Sequence, residues 1–466
     1  MAMGLWAVRP LLEEWGLFAI YASSGLSYLL GTFSVVALRP LHLTPSALQW
    51  ILGGGQVWGV GVVAALLLAT RYAVARWAVA PVLPPVQRWA FATACTVLVG
   101  WPALWLGRFH PAQFSATLFF VLLGCGLRLC IRNTVLPHVM GALSLCALLM
   151  TYQAVALLVC TIPFLAGLWV PPGKAGDMPA RLRRGARSAI MVATGFALYA
   201  LYVAVIYATM DGVYELALAA GVVRSNPVAL LLGNIATVYG ATFGRSPEIL
   251  GLLMALLCAA ASGPEPRRGR LHALLGSLAV LLLPLLSLTY ILPAHLQDPE
   301  RAMFPIACGA TVLLLALLMV GRPGRIASPP CILLVAALLA SGAASAHQAR
   351  ARWNFQKDIG AQVANLARTS GAGRILLRDE TGLLGDVYTY LGNTLSEALL
   401  VLGVRSWVNL CTPDGVDRIH PDALRYPIAT TPRCAAPAAQ DTLVAVARMQ
   451  GGKVVIERAP PGTAGQ

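Results

Sequence analysis

Charge is what this chain has least of. Only 11% of its 466 residues are charged, and just 19 are Asp or Glu, against roughly 25% charged residues in an average soluble domain. With 58% hydrophobic residues there is too little polar side chain to clothe a water-soluble surface, and that class is excluded. Several motifs are missing as well: no GxxxxGK[ST], no HExxH, no zinc-ligand spacing and no repeat of fixed period. ATP-driven transport within the chain is thereby disfavoured, and neither a cofactor nor a metal is expected. The first 15 residues lack the basic start and small-residue cleavage site of a signal peptide, so the first apolar run reads as a retained span.

What is present is a series of apolar runs of the length that crosses ~30 Å of hydrocarbon. Spanning helices are expected at 16–38, 48–70, 89–107, 114–131, 134–150, 153–170, 188–209, 249–262, 272–292, 303–320 and 330–346. The fold class is therefore an all-α polytopic membrane protein of about 11 transmembrane helices, with a small extracytoplasmic α/β domain at its C-terminus. The run from Leu136 to Val170 is too long for one span and is split at Thr151, Tyr152 and Gln153.

The net charge of +15 could signal nucleic acid or membrane orientation, and position decides between them. One set of alternate loops holds 15 basic residues: Arg71, Arg76, Arg88, Arg128, Arg132, Lys174, Arg181, Arg183, Arg184, Arg187, Arg267, Arg268, Arg270, Arg322 and Arg325. The other set holds five: Arg39, Arg108, Arg224, Arg245 and Arg301. That asymmetry is a positive-inside signature, and the partner it implies is the lipid bilayer, not nucleic acid. It places the N-terminus in the cytoplasm and residues 347–466 outside, beyond a membrane domain of residues 1–346.

Composition changes abruptly after Ala346. A polar helical stretch, Gln348–Ala367, leads to a strand at Arg374–Arg378, a helix at about 388–402 and strands near Ser406–Leu410 and Lys453–Glu457. Eight of the ten cysteines lie in or beside apolar runs, where Cys acts as a small hydrophobe. Cys411 and Cys434 lie in the tail and form a plausible disulfide if that compartment is oxidising.

Ionisable and polar residues at the outer membrane surface are the candidates for chemistry. Arg301 heads a span in Asp298-Pro-Glu300-Arg301, where a guanidinium suits a bidentate grip on phosphate; the structural alternative is a snorkelling side chain paired with Asp298 or Glu300. Tyr152 and Gln153 sit in a tight outer turn, able to face a sugar or simply to anchor the interface. The outer segment 210–248 carries Asp211 and Glu215, four apart, and Arg245. Asp211, Glu215, Asp298 and Glu300 are the candidate catalytic carboxylates; Arg301, Tyr152, Gln153 and Arg245 are the candidate substrate-binding residues. Asp379, Glu380, Asp386 and Tyr388 of the tail could cap such a cavity, or be ordinary surface residues.

The stretch Leu143-Ser-Leu-Cys-Ala-Leu-Leu-Met-Thr151-Tyr152-Gln153-Ala-Val-Ala-Leu-Leu, followed by a span and a basic loop, resembles the bacterial serotype-converting glucosyltransferase family that modifies O-antigen. Glu300-Arg301-Ala-Met-Phe304 at the head of a late span is similar to that family too. The resemblance implies transfer of a hexose, glucose in that family, from a polyprenyl-phosphate carrier to a surface glycan acceptor on the outer face of the inner membrane. It further implies a carboxylate that deprotonates the acceptor and cationic groups that receive the departing lipid phosphate.

One departure stands out. Proteins of this class carry an acidic residue in the first outer loop, and here that loop, Arg39–Ala47, has none. Either the base comes from Asp211, Glu215, Asp298 or Glu300, or an N-terminal span is missing. In the second case Arg9-Pro-Leu-Leu-Glu13-Glu14-Trp15 is the remnant of the outer loop, 16–38 includes membrane-surface helices, and the chain is open to being inactive. An O-antigen polymerase or ligase is the alternative within glycan biology. A transporter is disfavoured, because no second half mirrors the first.

Overall fold

A computed structural model of the chain describes residues 8, 10, 13–27, 36–99, 110–168, 178–210, 232, 236, 278, 282, 285, 299–320, 329–384, 394–411, 417–418, 430–431 and 442–460. Side chains at 299–303 and through most of 329–350 lie outside that description. The protein is mostly helical, with one small mixed sheet. Among the described residues three helices are long and apolar enough to cross a membrane: Gly59–Ala78 (α3), His110–Ile131 (α5) and Met178–Thr209 (α9). Shorter apolar helices accompany them, so eleven expected spans are not eleven observed ones. Those expected at 249–262 and 272–292 fall outside the described residues.

Two expected spans are not single continuous helices over their described residues. Helix α1, Glu13–Ser24, has 12 residues and reaches about 18 Å at 1.5 Å per residue, too short for the hydrocarbon layer. It stops where Gly25 takes φ 60°, a left-handed position that ends helices. The expected span 153–170 is likewise broken: a 3-10 turn at Gln153–Val155, then α7 (Ala156–Val159) and α8 (Ile162–Leu168). Pro163 lies in the first turn of α8, where proline is tolerated, but it prevents α7 from running on.

The expected span 48–70 is jointed as well. Helix α2, Thr44–Leu52, meets α3 across Gly53-Gly54-Gly55, with Gly54 and Gly55 at φ 58° and 79°. At this joint a Cβ on Gly59 would lie 2.0 Å from the Gln49 carbonyl oxygen, so only glycine lets the two helices close. Helices α4 (Pro85–Val99), α5, α6 (Val135–Thr151) and α10 (Pro299–Val320) pack around one apolar core, which includes Phe91, Phe119, Phe120, Leu145 and Phe304. Helix α9 approaches α6 closely because Gly195 presents no side chain to Leu145 and Ala142.

Helix α11 runs unbroken from Pro329 to Ser370, joining the last expected span and the polar helix beyond it into one rod. Its far end packs on the tail sheet of β1 (Arg374–Asp379), β2 (Trp407–Cys411), β3 (Asp417–Arg418), β4 (Thr430–Thr431), β5 (Thr442–Gln450) and β6 (Lys453–Arg458), in the order β4-β3-β2-β1-β5-β6. The central strand β1 is parallel to both β2 and β5; the outer pairs are antiparallel. Helix α12, Thr394–Val401, falls within the expected 388–402. Cys411 is disulfide-bonded; Cys434, its expected partner, lies outside the described residues.

Helix α1 docks on this tail. Trp15 is buried in the tail core with Ile359, Val363, Leu395 and Leu399, while Phe18 packs with Val60, Ala64, Leu68 and Trp353. Gln356 Nε2 donates to the Pro10 carbonyl at 2.9 Å. The N-terminal helix and the tail therefore sit together at one end of the bundle, not at opposite ends as the span count would place them. Trp15 and Phe18 remove their apolar surface from water in that seam.

The Glu397 carboxylate of α12 lies against this seam, its oxygens 3.0 Å from where a Cβ on Gly16 would sit. Burial pushes its pKa up from 4.5 to about 7. The folded chain therefore holds a proton there that the unfolded chain has released, and stability falls as pH rises between those two values. The effect reaches about 3 kcal/mol above the upper one. Thermal unfolding of the detergent-solubilised protein across pH 5 to 8 should show this decline, and Glu397→Gln should flatten it. For the α2–α3 joint, Gly59→Ala should destabilise by about 1–3 kcal/mol; an unchanged Tm in the same assay counts against the steric account.

Candidate functional site

Two polar constellations sit at the tail-bearing end of the bundle. The first sews the loop 36–43 to the turn after α6. Leu41 N donates to the Met150 carbonyl at 3.1 Å, and His42 Nδ1 lies 3.1 Å from the Thr151 carbonyl. Tyr152, only 7% exposed, faces the His42 ring with centroids 5.9 Å apart. Gln153 Nε2 donates to the Tyr199 hydroxyl of α9, which donates in turn to the Leu38 carbonyl at 3.0 Å. Tyr202 donates to the Ala37 carbonyl at 2.6 Å. The amide of Gln153 is thus engaged in holding the loop, and Tyr152 packs in the apolar core.

The remaining candidates from the sequence divide by position. Glu300 and Arg301 occupy the first turn of α10, which packs against the Gln153–Val155 turn; their side chains are not among those described. Asp211, Glu215, Arg245 and Asp298 lie outside the described residues, as do Asp386 and Tyr388. Asp379 is not available to cap a cavity, because its carboxylate accepts from Thr381 N and Oγ1, Gly382 N and Leu384 N. Glu380 is taken up in a bidentate pair with Arg448, whose guanidinium holds the carboxyl below its usual range.

The second constellation is one that sequence inspection passed over. Glu14, in the first turn of α1, is 2% exposed and His110, the first residue of α5, is fully buried; Oε1 and Nδ1 are 3.1 Å apart. One turn further along α5, Gln113 receives two hydrogen bonds from Nη2 of the fully buried Arg71 of α3, on its carbonyl at 2.8 Å and on Oε1 at 2.7 Å. Residues three apart share a helix face, so α5 presents the carboxylate pair and the guanidinium pair side by side. Arg71 also faces the thiols of Cys95 on α4 and Cys308 on α10. Gln49 of α2, which packs on α5, is fully buried too.

These groups are only partly satisfied. Glu14 Oε2, Arg71 Nε and Nη1, and both amide atoms of Gln49 are shut from solvent without a hydrogen bond. Each such group costs about 1–3 kcal/mol, more when charged, so a cluster of them at one end of an apolar bundle is a functional signal more often than a structural one. A carboxylate beside an imidazole can take and pass a proton; a guanidinium with free donors can hold an anion. Arg301, seven residues before Cys308, stands on the same face of α10, two turns nearer its N-terminus.

Signals for part of this cluster exist in the sequence. Arg71 interrupts an apolar run that continues to Ala78, so it belongs inside a span and not in the loop after it. Glu14 sits in the Glu13-Glu14-Trp15 segment already marked as a possible loop remnant. His110 and Gln113 carry no pattern of their own. Comparison with protein-family models, with curated proteins and with solved structures found no match.

Proposed function

We propose that the chain is a membrane glycosyltransferase of the lipid-linked-sugar type, moving a hexose, glucose by the resemblance noted above, from polyprenyl phosphate to a surface glycan such as O-antigen. The observation that carries the reading is the enclosed Glu14–His110 pair one helical turn from the half-satisfied Arg71. In this reading the arginine-rich helix ends face the cytoplasm and the tail lies outside, over the inner membrane.

The chemistry divides among residues of this chain. Glu14 accepts the proton of the acceptor hydroxyl, with His110 orienting the carboxylate. The acceptor oxygen bonds to the anomeric carbon as the carbon–oxygen bond to the lipid phosphate breaks, and the phosphate leaves with that electron pair. Arg71, together with Arg301 on the neighbouring face, stabilises the negative charge released. This assignment supplies the acidic residue missing from Arg39–Ala47: the base comes from the first turn of α1. Because Glu14 is enclosed beneath the tail, entry of the acceptor requires α1 and the tail to part from the bundle.

Mass spectrometry of surface glycan from the host should show loss of one hexose per repeat when the gene is deleted. Glu14→Gln, present in membranes at the normal level, should lower transfer by about 10²-fold or more. Arg71→Gln should cost about 10²–10³-fold. Glycan unchanged by the deletion would remove the proposal; glycan lost in the deletion but unaffected by Glu14→Gln would move the base back to Asp211, Glu215, Asp298 or Glu300.

A further inference from the structure

The opposite end of the bundle carries an arginine cluster that the proposed chemistry does not use. Helix α9 has 32 residues, about 48 Å of helix, against ~30 Å of hydrocarbon. Its surplus of roughly twelve residues lies at the N-terminal end, where Arg181, Arg183, Arg184 and Arg187 fall. One side of α9 is turned away from the bundle, with Leu182, Ile190, Leu201 and Val205 exposed. The other side buries Ser188, Met191, Val192 and Gly195, and Ser188 Oγ donates to the Gly126 carbonyl of α5 at 2.9 Å.

Arg184 and Arg181 continue that inward side, four and seven residues before Ser188. They enter a seam between α8 and α9, where Gly185 passes 3.1 Å from the Pro163 carbonyl, measured from the position a Cβ would take. The Cys130 thiol at the end of α5 lies near Arg184 and Arg187. Nε of Arg181, and Nε and Nη2 of Arg184, are shut from solvent with no hydrogen bond. Among the described residues no carboxylate pairs with any of the four arginines. Arg183, by contrast, is exposed on the outer side of the same turn.

Guanidinium nitrogens shut from solvent without an acceptor are costly, and the acceptor must suit both their chemistry and their depth. The seam opens at the level where phospholipid headgroups lie, beside an apolar helix face on which acyl chains can rest. A phosphate offers two oxygens that match the guanidinium fork, and basic pockets between helices on the cytoplasmic side are suited to anionic headgroups. We propose that the seam between α8, α9 and the end of α5 binds the headgroup phosphate of an anionic phospholipid through Arg181 and Arg184, with Leu182 against its chains.

The test is native mass spectrometry of the full detergent-purified chain titrated with phosphatidylglycerol or phosphatidylcholine. Phosphatidylglycerol should bind preferentially, and Arg181→Gln with Arg184→Gln should weaken it by about tenfold or more, the loss expected from charged hydrogen bonds worth 1.5–3 kcal/mol each. Arg183→Gln removes the same charge from the exposed side and should change binding by less than about twofold. If Arg183→Gln weakens binding as much as the double variant, attraction is diffuse and the site is refuted. If millimolar inorganic phosphate displaces the lipid, the seam is a free-anion site and the lipid assignment fails. Should the double variant not fold, Arg184→Lys, which keeps the charge and loses the fork, should weaken phosphatidylglycerol binding measurably; unchanged binding overturns the proposal.

Discussion

A carboxylate and an imidazole enclosed together, Glu14 against His110, are the constraint on which the arrangement at the tail end of this chain depends. Each group is costly alone in an apolar interior, and the fold sets Glu14 Oε1 3.1 Å from His110 Nδ1. The pairing brings the start of α1 to the start of α5, and the adjacent Trp15 then falls into the tail core while Phe18 meets α3. One short helix thus fastens the tail to the bundle, and the polar contacts of that seam lie directly above the buried Arg71.

The same end is kept in register by hydrogen bonds that cross long stretches of sequence. Loop 36–43 is held to Thr151 through the His42 ring and to the tyrosines of α9 through the carbonyl groups of Leu38 and Ala37. These contacts explain why Tyr152 and Gln153 look conspicuous in the sequence: they link the first loop to a later turn at a level where main-chain polar groups would otherwise lack partners. Glycines set the remaining distances. Gly59 lets α2 and α3 fold over one another, and Gly195 lets α9 lie against α6.

The two ends of the bundle differ in what their cations do. At the tail end Arg71 is wholly inside protein, with two of its three nitrogens still without an acceptor. At the other end Arg128 is satisfied within the protein, donating to the carbonyls of Trp77 and Gly124 and stacking on the Trp77 ring at 3.6 Å. One helix away, Nε of Arg181 and Nε and Nη2 of Arg184 have no such partners among the described residues.

Composition and periodicity determined a good deal unaided. The apolar runs under α5, α6 and α10 gave helices close to their observed limits, because a long uninterrupted hydrophobic segment has few other ways to satisfy its backbone. Strands β1, β2 and β6 were legible from β-branched runs bounded by polar turns. Strand β5 was not, since its buried positions include Ala445 and Ala447, which carry little β preference. The charge asymmetry between helix ends was equally plain in the sequence. Tertiary structure alone decided that residues 13–24 fill a seam, that Arg71 turns inward to Gln113, and that Glu14 meets His110 across 95 intervening positions. Local sequence records how each segment prefers to fold; which distant charge will neutralise a buried one is set only when the helices pack.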